Sequence, residues 1–284
     1  MTMKVIVAEK SGFCQGVKNA ISTAETILAS EPGPIYSLGP IIHNKEVVGQ
    51  LKKAGLIMAN SVEQIQTGTV IIRSHGAVPE HIAELKQRGL KIVDATCILV
   101  KRLQTIAKEL QEADYKVVII GDENHPEIRA VMGCARDVIV VADEKDLHKL
   151  PKNTKLGVVC QTTESPDHVS AMLGAIAKVG FRELKVINTL CKEAVKRQKS
   201  AVKLCKQVDI MFVLGDLESA NTRRLAELCK KYNKQTFHLQ NWNELDKNIF
   251  SGKNIAGVTA GASTPEWIIA EFVENLAAFD DSAL

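Results

Sequence analysis

Three cysteines share a sequence context that suits metal chemistry. Cys14, Cys97 and Cys191 each follow a short apolar run and precede a helix-like pattern. Structural zinc normally takes four protein ligands at short local spacings, and this pattern lacks them. Three thiolates far apart in sequence instead suit an iron–sulfur cluster in which one iron has no protein ligand. Three buried free cysteines without any metal are the alternative.

Polar residues suited to binding an anion follow other apolar runs. Some are histidines beside small or flexible residues, and others are short polar side chains near the start of a helix-like stretch. Because the amides of a helix N-terminus attract negative charge, the set predicts a phosphate or diphosphate site. Its members are His43, His75, His125, Ser219, Asn221 and Ser263.

One carboxylate accompanies these groups. Glu127 comes two residues after His125, directly after Pro126. The helix dipole alone favours a glutamate in the first turn of a helix, so a purely structural role is the alternative. Reduction at an open iron consumes protons as well as electrons, which makes Glu127 the candidate proton donor.

The elements that must position these residues repeat along the chain. Cys97 and Cys191 are 94 residues apart, and so are the glycines of two matching Gly-Asp pairs, Gly121 and Gly215. The first third of the chain matches more loosely. A period of this length is too long for a solenoid repeat, so we predict three related α/β units over residues 1–88, 89–182 and 183–284.

Strands alternate with helices in each predicted unit, which favours mainly parallel sheets. Ligands of such sheets gather at the carboxyl ends of the strands. Each unit supplies three loops of that kind: a cysteine loop, a loop with His43, His125 or Ser219, and a third loop. The third loops are residues 74–76, 161–163 and 260–263. If the units pack about a pseudo-threefold axis, the three cysteine loops meet at its centre.

The composition is that of an ordinary globular protein. The 284 residues are 45% hydrophobic and carry a formal net charge of +3. This near balance gives no argument for a nucleic-acid or membrane partner, so any basic site must be local. No apolar run approaches the roughly 20 residues needed to span a bilayer, and the N-terminus leads straight into a strand pattern. A cytoplasmic protein is therefore expected.

Four further cysteines need separate interpretation, because cytoplasmic cysteines rarely form disulfides. Cys205 and Cys229 fall inside helical patterns and are predicted to be plain core residues. Cys134 and Cys160 adjoin the loops of Glu127 and residues 161–163, and are either core residues or pocket-lining thiols.

Nine short motifs follow one another along the chain. They are Gly12-Phe13-Cys14-x-Gly16-Val17, His43-Asn44, Ser74-His75-Gly76, Asp94-Ala95-Thr96-Cys97, Gly121-x-x-x-His125-Pro126-Glu127, Gln161-Thr162-Thr163, Asn188-Thr189-x-Cys191 with Arg197-Gln198, Ser219-x-Asn221 and Thr259-Ala260-Gly261-Ala262-Ser263. In order from residue 3 to about residue 272, they resemble the motifs of the 4-hydroxy-3-methylbut-2-enyl diphosphate reductase family (LytB/IspH type).

The resemblance implies a three-domain trefoil around a central [4Fe–4S] cluster bound by Cys14, Cys97 and Cys191, with one iron lacking a protein ligand. It implies that ferredoxin or flavodoxin supplies two electrons, that the substrate hydroxyl leaves as water, and that isopentenyl and dimethylallyl diphosphate form. Glu127, Thr162 and His125 would act in proton delivery. The residues implied in diphosphate binding are His43, His75, His125, Thr162, Ser219, Asn221 and Ser263.

Three positions depart from the family pattern. Ala220 stands where the family usually has a second serine, Ala194 where it commonly has a threonine, and Ile98 where proline is usual. The changes at Ala194 and Ala220 leave open a related iron–sulfur enzyme that acts on a different small unsaturated molecule. A redox-sensing or electron-transfer protein is the other alternative, and it would use the cysteines but not Glu127.

Overall fold

Residues 3–278 are described by the computed structural model, and they form parallel sheets flanked by helices. The terminal residues of the predicted first and third units, 1–2 and 279–284, lie outside the described residues. The strands are β1 (Lys4–Val7), β2 (Ile35–Leu38), β3 (Leu56–Ala59), β4 (Thr69–Ile72), β5 (Lys91–Asp94), β6 (Lys116–Ile120), β7 (Ile139–Val141), β8 (Lys155–Cys160), β9 (Glu183–Val186), β10 (Ile210–Leu214), β11 (Thr236–Leu239) and β12 (Ile255–Ala260).

Helices connect consecutive strands. They are α1 (Gln15–Ser30), α2 (Lys45–Lys53), α3 (Pro79–Gln87), α4 (Ile98–Glu112), α5 (Pro126–Met132), α6 (Pro166–Ile176), α7 (Lys192–Cys205), α8 (Ala220–Tyr232) and α9 (Glu266–Ala278). Short 3₁₀ turns cover residues 62–64, 144–149, 242–244 and 247–250. Of the helices described, none is long and apolar enough to cross a membrane.

The strands form three four-stranded sheets in the orders β3-β2-β4-β5, β7-β6-β8-β9 and β11-β10-β12-β1. Every pairing in them is parallel. The predicted fold class, α/β with mainly parallel sheets, is confirmed. Because all strands of a sheet run in one direction, the loops after them lie along one edge.

The three sheets belong to two compact units. The terminal unit contains residues up to Lys18, Ile42–Gly49 and residues from Glu193 onward, and it holds the sheet of β10, β11, β12 and β1. The central unit contains Asn19–Ile41 and Gln50–Lys192, and it holds the other two sheets.

The strand pairing differs from the predicted boundaries at residues 88/89 and 182/183. Each strand that precedes a cysteine completes the sheet before it in the repeat: β5 pairs with β4, β9 with β8, and β1 with β12. A sequence period gives the length of a repeat but not the point at which one repeat starts. Hydrogen bonding puts the cysteine strand last in each sheet rather than first.

Sequence patterns explain most of the elements. β10 is buried at all five positions, as expected for an inner strand of a sheet covered on both faces. α4 buries Val100, Leu103, Ala107 and Leu110, whose spacing of three and four residues forms one apolar face. The short edge strands β3, β7 and β11 were not predicted, because three or four residues carry too little periodicity.

Aromatic packing holds the terminal sheet against its helix. The Phe212 ring on β10 lies 5.2 Å from the Phe272 ring on α9 and 6.0 Å from the Phe250 ring, measured between centroids. All three side chains are at most 1% exposed. Burying such a ring typically contributes about 1.5–3 kcal/mol relative to leaving it in water. The sheet edge that carries the loops is thus supported by a rigid core.

Candidate functional site

Each of the three candidate metal ligands is tied to the third loop of its own sheet. The backbone N–H of Cys14 donates to the carbonyl of Ala262, that of Cys97 to Ser74, and that of Cys191 to Thr162, at 3.2, 2.9 and 2.8 Å. The acceptors belong to the three loops that the sequence placed in parallel. The same contact recurs in three sheets, so the cysteine loops are equivalent in structure as well as in sequence.

The three cysteines also share their exposure and their place at a helix start. Cys14, Cys97 and Cys191 are cysteines of intermediate exposure that form no disulfide within the described residues, and they directly precede α1, α4 and α7. The alternative without metal expected three buried cysteines, and none of the three is buried. Cysteine sulfurs are the usual protein ligands of iron–sulfur clusters. The donor chemistry therefore fits a thiolate-bound iron cluster.

The other four cysteines differ from these. Cys205 and Cys229 are 3% and 0% exposed, and their prediction as core residues is confirmed. A hydrogen bond between the two thiols, together with burial, raises the pKa of Cys229. Burial also raises the pKa of Cys160, which is 2% exposed in the core, and of half-buried Cys134, where Glu80 adds to the effect. Thiols with raised pKa are poor metal ligands at neutral pH.

No group of three His, Cys, Asp or Glu side chains among residues 3–278 is arranged around a single metal ion. A cluster places each cysteine on a different iron, so its ligands need not converge on one point.

Glu127 and Thr162 form the most tightly bonded pair among the candidate residues of the central unit. The Oε1 atom of Glu127 accepts the backbone N–H of Thr162 at 2.7 Å, and Oε2 accepts its hydroxyl at 2.8 Å. Glu127 is 2% exposed and Thr162 is 5% exposed. Burial of a carboxyl group is tolerated only when its oxygens are hydrogen-bonded, and here one residue satisfies both.

His125 caps the helix that carries Glu127. Its Nδ1 atom accepts the backbone N–H of Glu127 at 3.2 Å, which fixes the proton of the neutral ring on Nε2. The ring of His75 packs edge-on against it, with centroids 5.4 Å apart and planes at 87°. The central unit thus brings together four predicted residues: Glu127, Thr162, His125 and His75.

Gly76 explains the close fit of the His75 loop. Its φ of +79° is a backbone conformation that other residues rarely adopt. A Cβ atom there would lie 3.0 Å from the Gln104 amide nitrogen and 3.4 Å from Thr96. The preceding Ser74 is buried, and its hydroxyl donates to the carbonyl of Ile41 at 3.3 Å.

In the terminal unit, Ser263 and His43 are joined directly. The Ser263 hydroxyl donates to the backbone carbonyl of His43 at 2.8 Å. Asn44, the next residue, is buried, and its side-chain oxygen accepts the N–H of Val47 in the first turn of α2. These two contacts hold the His43 loop from both sides.

Ser219 occupies the N-cap of α8, as the sequence predicts for an anion site. Its hydroxyl oxygen accepts the N–H of Thr222 at 3.4 Å and the Thr222 hydroxyl at 3.0 Å. Ala220 and Asn221 follow in the first turn and are both half-buried. A Cβ on Gly261 would lie 2.1 Å from the Thr222 hydroxyl, so the loop of Ser263 approaches this helix start where only glycine fits.

Some supporting residues were not predicted. Thr222 and Thr264 are fully buried, and the Thr264 hydroxyl donates to the carbonyl of Leu214 at the end of β10. Thr222 stands three residues after Ser219, where a capping box would have Glu or Gln, so no capping-box signal pointed to it. The guanidinium of Arg197 is buried and donates to the carbonyl of Gly12 at 2.7 Å, two residues before Cys14.

The fold and the sites define a class of protein: a parallel α/β enzyme with thiols, imidazoles and a hydrogen-bonded acid at the carboxyl ends of its strands. The LytB protein family model matches residues 5–277. The chain belongs to the LytB protein family, a family of iron–sulfur enzymes. The predicted family membership is confirmed.

Named relatives match over almost the whole chain. The 4-hydroxy-3-methylbut-2-enyl diphosphate reductase of Trichlorobacter lovleyi is 42% identical over 275 residues, which are 96% of this chain and 98% of the relative. A solved structure of (E)-4-hydroxy-3-methyl-but-2-enyl diphosphate reductase, the terminal enzyme of the non-mevalonate pathway, is 39% identical, with a TM-score of 0.70 and coverage of 98% and 100%. The structure of the Plasmodium falciparum reductase has a TM-score of 0.92 at 29% identity, with coverage of 97% and 88%.

Proposed function

We propose that this chain is an oxidoreductase that removes the hydroxyl group of 4-hydroxy-3-methylbut-2-enyl diphosphate reductively and releases isopentenyl and dimethylallyl diphosphate. The observation that carries the proposal is identity of about 40% over nearly the full length to reductases of that name. The bonded pair of Glu127 and Thr162 supports it, because the reaction needs a proton donor.

Cys14, Cys97 and Cys191 bind a [4Fe–4S] cluster in this proposal. When bound there, the cluster would supply the electrons for C–O cleavage and an iron that has no protein ligand. The recurring hydrogen bond from each cysteine N–H to its third loop orients the three thiols.

Glu127 and Thr162 move the proton. Thr162 has one hydroxyl proton, and it is directed at Oε2 of Glu127. When Glu127 is protonated, its carboxyl group donates to the Thr162 oxygen, and the Thr162 proton becomes available to substrate. Thr162 thus relays a proton from a buried acid, and His125 holds the acid in place through its own ring nitrogen.

Imidazole, hydroxyl and amide groups bind the diphosphate in this proposal. Because Nδ1 of His125 accepts a hydrogen bond, the neutral ring carries its proton on Nε2, and this N–H donates to a phosphate oxygen in the proposal. The helix dipole at the start of α8 adds attraction for negative charge. The proposed ligands are His43, Ser219, Asn221 and Ser263 in the terminal unit and His75, His125 and Thr162 in the central unit.

Electrons arrive from ferredoxin or flavodoxin in this proposal. Two electrons and two protons enter for each substrate, and one water leaves.

A second candidate has one specific observation in its favour. Ala220 in the first turn of α8 supplies a methyl group where the family usually has a serine hydroxyl. A hydrogen bond to a charged group contributes about 1.5–3 kcal/mol, so its loss weakens diphosphate binding about tenfold to a hundredfold. A different small unsaturated substrate is the alternative. Ala194 is 6% exposed, and its methyl packs into the protein.

One assay separates these possibilities. The protein is reconstituted anaerobically, its iron and sulfide are counted, and it is reduced with dithionite and methyl viologen before the diphosphate is added. Formation of both product diphosphates supports the proposal. Turnover at background with a full cluster would favour the alternative substrate. The cluster of a redox sensor would be reduced normally, but no product would form, either in the wild type or in Glu127→Gln.

A further inference from the structure

Helix α7 carries a row of exposed lysines that starts directly after a candidate cluster ligand. Lys192, Lys196, Lys199 and Lys203 are all exposed. Their spacing of four, three and four residues puts their side chains along one face of the helix. Lys192 is the residue after Cys191, so one end of this face begins at the cluster loop. We call these four residues the lysine row.

The opposite face of α7 is buried, which leaves the lysine row as the face turned to solvent. Ala194, Ala201 and Leu204 are 6% exposed or less. Lys206 continues the positive charge just past the helix, with its ammonium 5.2 Å from the centre of the Tyr232 ring. The helix rises about 1.5 Å per residue, so the lysine row is about 16 Å long.

Few acidic side chains balance this charge. Glu193 lies 3.0 Å from Lys196 and 3.9 Å from Lys10, and Glu9 lies 3.5 Å from Lys203. Within residues 3–278, no carboxylate is at ion-pair distance from Lys192 or Lys199. Exposed ion pairs of this kind contribute only about 0–1 kcal/mol and exchange easily with other partners.

The equivalent helices after the other two cysteines lack such a row. α7 has five basic residues and one acidic residue, whereas α4 has three basic and two acidic residues. α1 has one of each, and its Lys18 is paired with Glu266 at 2.8 Å. Three helices in equivalent positions thus differ in charge, although the chain as a whole is only +3. The near-balanced composition requires any basic site to be local, and α7 carries such a local basic surface.

We propose that the lysine row is the docking surface for an acidic electron-transfer protein. The inference rests on the proposed function, in which two single electrons must reach a cluster that has Cys191 as a ligand. An acidic carrier bound along α7 lies beside that ligand. Electron-transfer complexes bury small interfaces, commonly below about 1,200 Å², and depend on charge for fast encounter. A row about 16 Å long suits that size.

The kinetic test compares two electron sources with one set of variants. Lys196→Glu/Lys199→Glu/Lys203→Glu reverses most of the row. The matched control reverses three exposed lysines in the turns before strands β8, β9 and β11: Lys152→Glu/Lys178→Glu/Lys234→Glu. Each protein is reconstituted and assayed with reduced acidic ferredoxin and, separately, with dithionite and methyl viologen.

The proposal predicts that the α7 variant loses about tenfold to a thousandfold in kcat/KM for ferredoxin, because steering by charge is worth that much in association rate. Its viologen-driven turnover stays at the wild-type level, and the control variant is normal with both donors. Wild-type turnover with ferredoxin falls as salt rises. An α7 variant with wild-type ferredoxin kinetics would overturn the proposal. No viologen-driven turnover in the wild type would instead contradict the proposed function.

A second measurement needs no variant. Carbodiimide joins lysine amines to carboxylates that are in contact, and mass spectrometry then locates the linked lysines. The proposal predicts links from oxidised ferredoxin to Lys196, Lys199 or Lys203 that disappear at high salt. Links only to lysines elsewhere would contradict it. Binding of duplex DNA that ferredoxin does not displace would assign the row to nucleic acid and would also overturn it.

Discussion

Both carboxylate oxygens of Glu127 accept hydrogen bonds from a single residue, Thr162, at 2.7 and 2.8 Å. Thr162 in turn accepts the backbone N–H of Cys191 through its carbonyl. The candidate acid, its relay and a candidate cluster ligand are therefore bonded in series within the central unit. A substitution of Glu127 should therefore lower the rate of turnover without removing Cys191 as a cluster ligand.

Replacing Glu127 by glutamine should abolish turnover but leave the cluster. The amide cannot deliver a proton, so we expect a loss in kcat of about a hundredfold to ten-thousandfold, the usual contribution of a general acid. Iron content and the visible spectrum of the reconstituted protein should match the wild type. Thr162→Val should show a similar loss, and Thr162→Ser, which keeps the hydroxyl, should retain most activity. Normal turnover in Glu127→Gln would exclude the relay.

Serine at any one of positions 14, 97 and 191 should prevent stable cluster binding. A hydroxyl is a much poorer ligand for iron than a thiolate, because it is soft thiolate donors that hold such clusters. Iron and sulfide analysis after anaerobic reconstitution measures the loss. Cys134→Ser is the control, since burial raises the pKa of the Cys134 thiol and keeps it protonated. Full iron content in any of the three variants would remove that cysteine from the ligand set.

Adding back the hydroxyl at position 220 should strengthen diphosphate binding. Ala220→Ser introduces a donor in the first turn of α8, beside the Ser219 cap. We expect KM to fall about tenfold to a hundredfold with little change in kcat. Ala220→Gly removes the methyl group without adding a donor and should show no such gain. If Ala220→Ser leaves KM unchanged, this helix start does not bind the diphosphate.

The stability of the protein should fall in mild acid because of His238. Burial lowers the pKa of His238, and its Nε2 atom lies 3.0 Å from the carbonyl oxygen of Gly215. Below about pH 6.5, the usual value for histidine, the unfolded chain binds a proton that the folded protein resists. The free energy of unfolding should therefore decrease as pH drops from about 7 to 5. Urea titrations of His238→Gln should show a weaker dependence over the same range.

The sequence predicted the parallel α/β class, the cysteine loops and the family, because apolar runs and residue types at repeated positions are local signals. It did not reveal the short strand β7, whose place depends on its pairing with β6. The pairing of β1 with β12 joins opposite ends of the chain, and no local pattern encodes it. The two hydrogen bonds between Glu127 and Thr162 join residues that are 35 positions apart in sequence. Spacing alone gives neither their partners nor their geometry.

Mössbauer spectroscopy of the ⁵⁷Fe-reconstituted protein, with and without the diphosphate, measures the cluster type and the open iron together. We predict a four-iron cluster in which one iron gives a separate signal that shifts when the diphosphate binds, while the other irons do not change. A spectrum with four equivalent irons, or one that the diphosphate leaves unchanged, would contradict it.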